Sequence, residues 1–262
     1  MSIEDLSENW EALAHVDPMW AIKSYSEKAG GRWDAEEFFL TGLHEVAELM
    51  SCISRLAPDL SRAKALDFGC GIGRVTKPLA TYFEHVWGVD IAKNMIERAV
   101  QMSSSVNVTY AVNRSPNLSM FESGWFDFIY SDVVLQHMPH HLALSYLNEF
   151  YRTLKAGGVL VFQLPDKPPL LVALGFSATM MKLYRLAPKP LLRIVRKFRY
   201  PGAGADFLTS LPAAAMEMHG VKKNKMLRLL KRIGFQSLEL TCDYAPGYGW
   251  RSWHYCLRKT IR

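Results

Sequence analysis

The chain has 262 residues, 49% of them apolar, with 31 Lys and Arg against 25 Asp and Glu and a net charge of +6. That length fits one α/β domain with additions, and the apolar content is that of an ordinary globular protein. Met1 to Trp10 is acidic and has no apolar core, so no secretion signal is expected. Cys52, Cys70, Cys242 and Cys256 form no C-x-x-C pair, which predicts free thiols in a reducing, cytoplasmic setting rather than a zinc or redox motif.

Residues 1–60 read as a helical cap carrying Trp10, Trp20, Tyr25 and Trp33. Within it Phe38 to Ile53 predicts a helix with Phe39, Leu43, Val46, Leu49, Met50 and Ile53 on one stripe. Over 61–165 strands and helices alternate, which predicts a parallel sheet. The strands are Ala63–Phe68, His85–Asp90, Val106–Val112, Phe126–Ser131 and Val159–Leu164; helices begin near Arg74, Ala92 and His140, and Gly157-Gly158 is expected to cap the last of them. The pattern breaks over 166–220. Between Lys167 and Ala205 there are eight basic residues and no acid, which assigns the excess positive charge to this insert and leaves the remainder at −2. Leu170 to Leu186 is apolar but interrupted by Lys182, too short to span a bilayer, which takes about 20 residues. Leu191, Ile194, Val195 and Phe198 then recur at helical spacing beside Arg193, Arg196 and Lys197. Such a pair of helices fits peripheral membrane contact through 170–200, or equally a lid or homodimer contact with a solvated basic face. Over 221–262 a helix from Lys222 to Ile233, stopped by Gly234, precedes two last strands, Gln236–Cys242 and Arg251–Leu257.

The most informative stretch is Ala65-Leu66-Asp67-Phe68-Gly69-Cys70-Gly71-Ile72-Gly73, followed by a strand that ends on Asp90. A buried strand runs into three alternating glycines that let backbone approach a ligand, and the acid at the next strand tip can accept from both ribose hydroxyls. A dinucleotide site needs G-x-G-x-x-G; here Arg74 stands at the third glycine position, which argues against NAD. Leu66 to Arg74 resembles the first motif of class I S-adenosylmethionine-dependent methyltransferases. The likeness continues in order through Asp90, Asn113, Phe126-Asp127-Phe128-Ile129-Tyr130-Ser131, Leu135-Gln136-His137-Met138 and Arg152 to Gly158. It covers roughly residues 60–165, and more loosely 221–259.

The resemblance implies a Rossmann-like, doubly wound, seven-stranded sheet, mostly parallel with an antiparallel C-terminal hairpin. It implies S-adenosylmethionine as cofactor and S-adenosylhomocysteine as product. It puts Gly69, Gly71 and Gly73 against the cofactor, Asp67 behind its methionine part, Asp90 on the ribose and Ile91 on the adenine. Ser131 and Asp132 would line the methionine end. Asn113 stands where the family usually has an acid near the adenine. The cap of 1–60 would close the site, or simply pack on the sheet.

Methyl transfer to oxygen gains from positioning and from a general base. His137, just after the fourth strand, is the candidate base, with a structural role as the alternative; His140 and His141 are expected to cap the following helix or face solvent, and His219 and His254 are further options, His254 with a core or rim position as its alternative. No [DN]-P-P-[YF] signature and no acidic magnesium-type cluster follows the fourth strand. The expectation is therefore a metal-independent O-methyltransferase for a small hydrophobic or amphiphilic hydroxylated metabolite or lipid. A small-molecule N-methyltransferase is the alternative; an RNA methyltransferase gripping phosphate with the insert is disfavoured because the insert is too apolar, so nucleic acid is not expected as a partner. A scaffold that has lost the cofactor is disfavoured by Asp67, the glycines and Asp90.

Overall fold

The computed structural model describes residues 2–167, 218–243 and 250–260, with no side-chain description for Lys167. Among the described residues there are seven strands: β1 Lys64–Phe68, β2 His85–Asp90, β3 Val108–Val112, β4 Phe126–Ser131, β5 Leu154–Lys167, β6 Phe235–Asp243 and β7 Arg251–Lys259. They form one sheet in the order β3-β2-β1-β4-β5-β7-β6. β1 to β5 pair in parallel, and β7 runs antiparallel to both β5 and β6. This is the expected Rossmann-like arrangement. The chain reverses direction across the sheet between β1 and β4, so the carboxyl ends of these two strands flank the crevice in which open α/β sheets bind ligands.

Among the described residues seven α-helices accompany the sheet: α1 Ile3–Val16, α2 Pro18–Ile22, α3 Ala35–Leu56, α4 Thr76–Leu79, α5 Lys93–Gln101, α6 His140–Thr153 and α7 Lys223–Ile233. Their starts follow local chemistry. Ser2 and Asp5 form a reciprocal capping box on α1, and the Asp34 carboxylate accepts from the Glu37 amide at 2.9 Å to start α3. Asp17 caps α2 through the Trp20 amide at 3.1 Å. Its second oxygen accepts from the amides of Gly30 and Gly31, which ties α2 to the following loop. Gly234 ends α7 in the left-handed conformation, as expected.

Each face of the sheet has its own core. Phe68, Ile129, Phe162 and Tyr255 pack with Tyr146 and Phe150 of α6 and with Met226 and Leu230 of α7. Val86, Phe128, Val161 and Cys256 face Val46, Met50 and Ile53 of α3. A third cluster joins Leu13, Trp20, Trp33 and Phe38 of the N-terminal region to Ile72 and Met95.

Several expectations are corrected. The buried face of α3 is Phe38, Gly42, Val46, Met50 and Ile53, whereas Leu43 is 48% exposed. The stripe is rotated because α3 lies close enough to touch backbone: a Cβ on Gly42 would sit 2.1 Å from the Arg74 carbonyl oxygen. Gly157-Gly158 does not cap α6. That helix ends at Thr153, where Leu154 turns extended, and Gly157 (φ 78°) lies in the opening of β5, where the register against β4 shifts. β3 starts at Val108, leaving Val106 fully exposed. The positive charge is not confined to the insert, since Lys223, Lys225, Arg228, Lys231 and Arg232 stand on α7 with no acid among them. Residues 168–217, which hold nearly all of the expected insert including 170–200, lie outside the described residues, as does the turn 244–249. Among the described residues no helix is long and apolar enough to cross a membrane.

Candidate functional site

The site begins where β1 leaves the sheet. The amides of Gly69 and Cys70 donate to the Val89 carbonyl at 2.7 and 3.1 Å, which holds the glycine loop against the end of β2. Gly69 (φ 81°) and Gly73 (φ 83°) occupy backbone that L-residues rarely adopt. Neither has room for a Cβ: it would fall 2.2 Å from Val134 Cγ2 at Gly69 and 2.3 Å from the Tyr110 hydroxyl at Gly73. Asp90 completes the loop. One carboxylate oxygen accepts from the Gly71 amide at 2.8 Å and the other from the Ala92 amide at 2.9 Å. Burial raises the Asp90 pKa, and these backbone donors work against that rise.

Asp67 lies beneath the loop, buried, and accepts from Thr76 Oγ1 at 2.6 Å. Burial pushes its carboxyl up to about 7 despite that bond. Ile91 packs at the edge of the larger core. Asn113 is committed to its own loop: its amide nitrogen donates to the Asn117 carbonyl at 2.9 Å, and its oxygen accepts from the Ser115 amide at 3.2 Å. Ser131 is wholly buried and its hydroxyl has no hydrogen-bond partner among the described residues. Asp132 is ion-paired to His254, described below.

These groups suit the cofactor that the motifs imply. Each Asp90 oxygen spends one lone pair on an amide and keeps another for a diol. The lone Ser131 hydroxyl offers a further polar contact, and a cationic amino group beside Asp67 would relieve the burial that raises its pKa. The glycine loop allows backbone approach without supplying a pyrophosphate seat, because α4 has only four residues and Arg74 is turned away into an ion pair.

His137 sits in a short 3-10 turn, Leu135–His137, after β4 and is buried under the edge of the Trp10 ring, with centroids 5.2 Å apart. Burial, with a smaller contribution from His219, pushes it down to about 4, so the ring is neutral at physiological pH. The Gln136 amide nitrogen lies 3.1 Å from His137 Nε2, and because an amide nitrogen only donates, Nε2 accepts. The Gln136 oxygen in turn accepts from Gln163 at 3.2 Å, and Gln163 also donates to Ser252. His140 and His141 are exposed at the start of α6, and the His219 amide donates to the Gln136 carbonyl at 2.6 Å.

Two clusters were not expected from the sequence. Arg74 is buried and pairs with Glu45 of α3 at 2.9 Å; Glu45 also accepts from the Tyr130 hydroxyl at 3.0 Å and pairs with Lys23 at 3.5 Å. This fastens the N-terminal helices to the glycine loop and to β4. The second cluster is His254, whose Nε2 lies 3.0 Å from Asp132 and Nδ1 2.6 Å from Asp243. Burial opposes the imidazolium charge, but the two carboxylates outweigh it and raise the pKa to about 10. A polar run on one face of β7, Ser252 and His254 with Trp253 and Tyr255 opposite, is the signal that could have found it. Among the described residues no three His, Cys, Asp or Glu side chains are grouped to hold a metal ion.

The N-terminal helices meet the site at three points. Trp10 touches His137, Ile22 lies against Gly71, and Glu11 accepts from the Asn94 amide at 3.3 Å. Comparison with known proteins agrees with the motifs. A family model described as a methyltransferase domain matches residues 66–162. The chain is similar to a ubiquinone biosynthesis O-methyltransferase of Hahella chejuensis, 27% identical over 215 residues that cover 80% of this chain and 87% of that one. It is also similar to the enzyme of the same name from Xanthomonas oryzae, 31% identical over 45% of this chain and 49% of that one. In three dimensions it resembles the magnesium protoporphyrin IX methyltransferase of Synechocystis, solved with bound S-adenosylhomocysteine. That match has a TM-score of 0.57 at 15% identity and covers 89% and 91% of the two chains; it speaks to the fold.

Proposed function

Because the chain belongs to the class I S-adenosylmethionine-dependent methyltransferases, we propose that it methylates a hydroxyl oxygen on a small, partly hydrophobic metabolite or lipid, with His137 as the proton acceptor. The observation that carries this reading is a histidine held neutral by burial at the carboxyl edge of β4, three residues beyond the glycine loop's contact at Val134. The names of the Hahella and Xanthomonas relatives support oxygen as the methylated atom and a quinone-like acceptor class.

Bound S-adenosylmethionine supplies an electrophilic methyl group on a sulfonium. Asp90 would accept from the ribose hydroxyls, and the backbone of Gly69, Gly71 and Gly73 would lie beside the nucleoside. Ile91 and Asn113 would flank the adenine, while Asp67, Ser131 and Asp132 would serve the methionine end. The acceptor hydroxyl takes the place of the Gln136 amide at His137 Nε2, and Trp10 keeps water from that ring. A base with a pKa of about 4 is weak against a free hydroxyl. It suffices when the proton leaves as the methyl arrives, because a methylated, still protonated oxygen is a far stronger acid than an imidazolium.

The cap of 1–60 covers the site, and 170–200 brings it to a membrane surface or to a second copy of the chain; the apolar and basic pattern of that stretch supports this part. The test uses purified protein, cofactor labelled on the methyl group and a cell extract separated into organic and aqueous phases. Label in the organic phase is the expected result. Label confined to the aqueous phase refutes a lipid-like acceptor. His137→Ala should abolish turnover while S-adenosylhomocysteine still binds; unchanged turnover removes His137 as the base.

A further inference from the structure

Val133 is the one described residue other than glycine with a positive φ, 56°. A β-branched side chain is poorly tolerated there, and such strain persists only where the surroundings over-determine it. Both neighbours are held. On one side Asp132 is fixed by His254 Nε2 at 3.0 Å, and His254 is itself fixed through Nδ1 by Asp243 at the end of β6, 2.6 Å away. On the other side Val134 lies flat on Gly69, so close that a Cβ there would meet its Cγ2 at 2.2 Å. The Val134 carbonyl accepts from the His137 amide at 3.0 Å, so the same turn also sets the start of the segment carrying His137.

We propose that His254 is a positioning residue for methyl transfer: by gripping Asp132 it holds the left-handed turn at Val133 closed, and the closed turn seats Val134 on the glycine loop. The proposal rests on the reading of that loop as the cofactor site. The C-terminal hairpin thereby acts on the cofactor loop across β5 without touching it. Both ring nitrogens are engaged by carboxylates, so His254 is not itself a base. The cation is retained through neutral pH because the two acids flank it, which keeps the grip constant over the working range.

The test compares the wild type, His254→Ala, and His254→Ala combined with Val133→Gly. Two readouts are used: hydrogen exchange of the segment 131–138 in the free protein, and S-adenosylhomocysteine affinity by calorimetry. His254→Ala should speed exchange in that segment and weaken affinity by roughly tenfold or more, the scale of one strained residue. Val133→Gly should restore most of both, since glycine adopts this backbone without a clamp. A merely structural histidine predicts no recovery, and that result overturns the proposal, as does an alanine variant with unchanged exchange. Should the alanine variant fail to fold, His254→Gln, which keeps a donor to Asp132 but no charge, reads the same coupling with Val133→Gly. A wild-type protein that binds no S-adenosylhomocysteine overturns the cofactor reading, while exchange in 131–138 still decides whether His254 holds the turn.

Discussion

Replacing Arg74 with methionine isolates the contact that joins the N-terminal helices to the catalytic body. The Arg74 side chain is 6% exposed and Glu45 20%, with a nitrogen–oxygen separation of 2.9 Å. Breaking a buried pair by removing one partner costs about 3–5 kcal/mol because the other charge is stranded. Here Glu45 keeps Lys23 at 3.5 Å and the Tyr130 hydroxyl at 3.0 Å, and it is partly wetted. The expected loss for Arg74→Met is therefore about 2–3 kcal/mol, below that range. At about 2–4 °C per kcal/mol for a chain of this size, the melting temperature should fall by roughly 4–12 °C. Thermal and urea unfolding measure it, and Glu45→Gln closes a double-mutant cycle with an expected coupling on the order of 1–2 kcal/mol. S-adenosylhomocysteine affinity should fall as well, because α3 touches the backbone of Arg74 through Gly42 just after the glycine loop. A cost under about 0.5 kcal/mol, as for exposed pairs, or additive losses in the cycle, would refute the account.

Three more predictions are independent of that one. Asp90→Asn turns an amide N–H toward the Gly71 or Ala92 amide and removes the charge, so S-adenosylhomocysteine affinity should drop by about 1.5–3 kcal/mol in calorimetry; an unchanged affinity would remove Asp90 from the site. Gly73→Ala combines a forbidden φ with a clash against the Tyr110 hydroxyl and should lower both stability and affinity, with partial relief on adding Tyr110→Phe, which deletes the oxygen met; no relief would mean that the φ alone matters. His254 rises from 6.5 to about 10 on folding. Its stabilisation is thus fully present below pH 6.5 and is lost as pH climbs through about 10, with an upper bound of about 5 kcal/mol. Stability measured from pH 6 to 10 should slope downward in the wild type, and His254→Gln should flatten the slope; parallel curves would show that other groups set it.

The alternation of strand and helix, the three glycines and the acid at the tip of β2 are local signals. Each is written in neighbouring residues, so the parallel core, the glycine loop and the position of Asp90 were readable from one chain, whereas the Gly71 and Ala92 amides that hold Asp90 were not. Gly234 was readable for the same reason, since a helix stop depends only on the backbone freedom of one residue. The face of α3 was not, because apolar periodicity names a stripe but cannot say that Gly42 must meet the Arg74 backbone. Gly157 looked like a helix cap and proved to belong to the opening of a strand, since where α6 ends is decided by the pairing of Leu154 with Phe126. Arg74 argued against a dinucleotide by its size alone, yet its partner lies 29 positions away in sequence. The Asp132–His254 contact spans 122 positions. Charges so far apart meet only when the sheet is closed and water is excluded around them. Their pairing, the neutrality of His137 and the strained turn at Val133 were therefore decided by the tertiary structure, which sets burial and distance together.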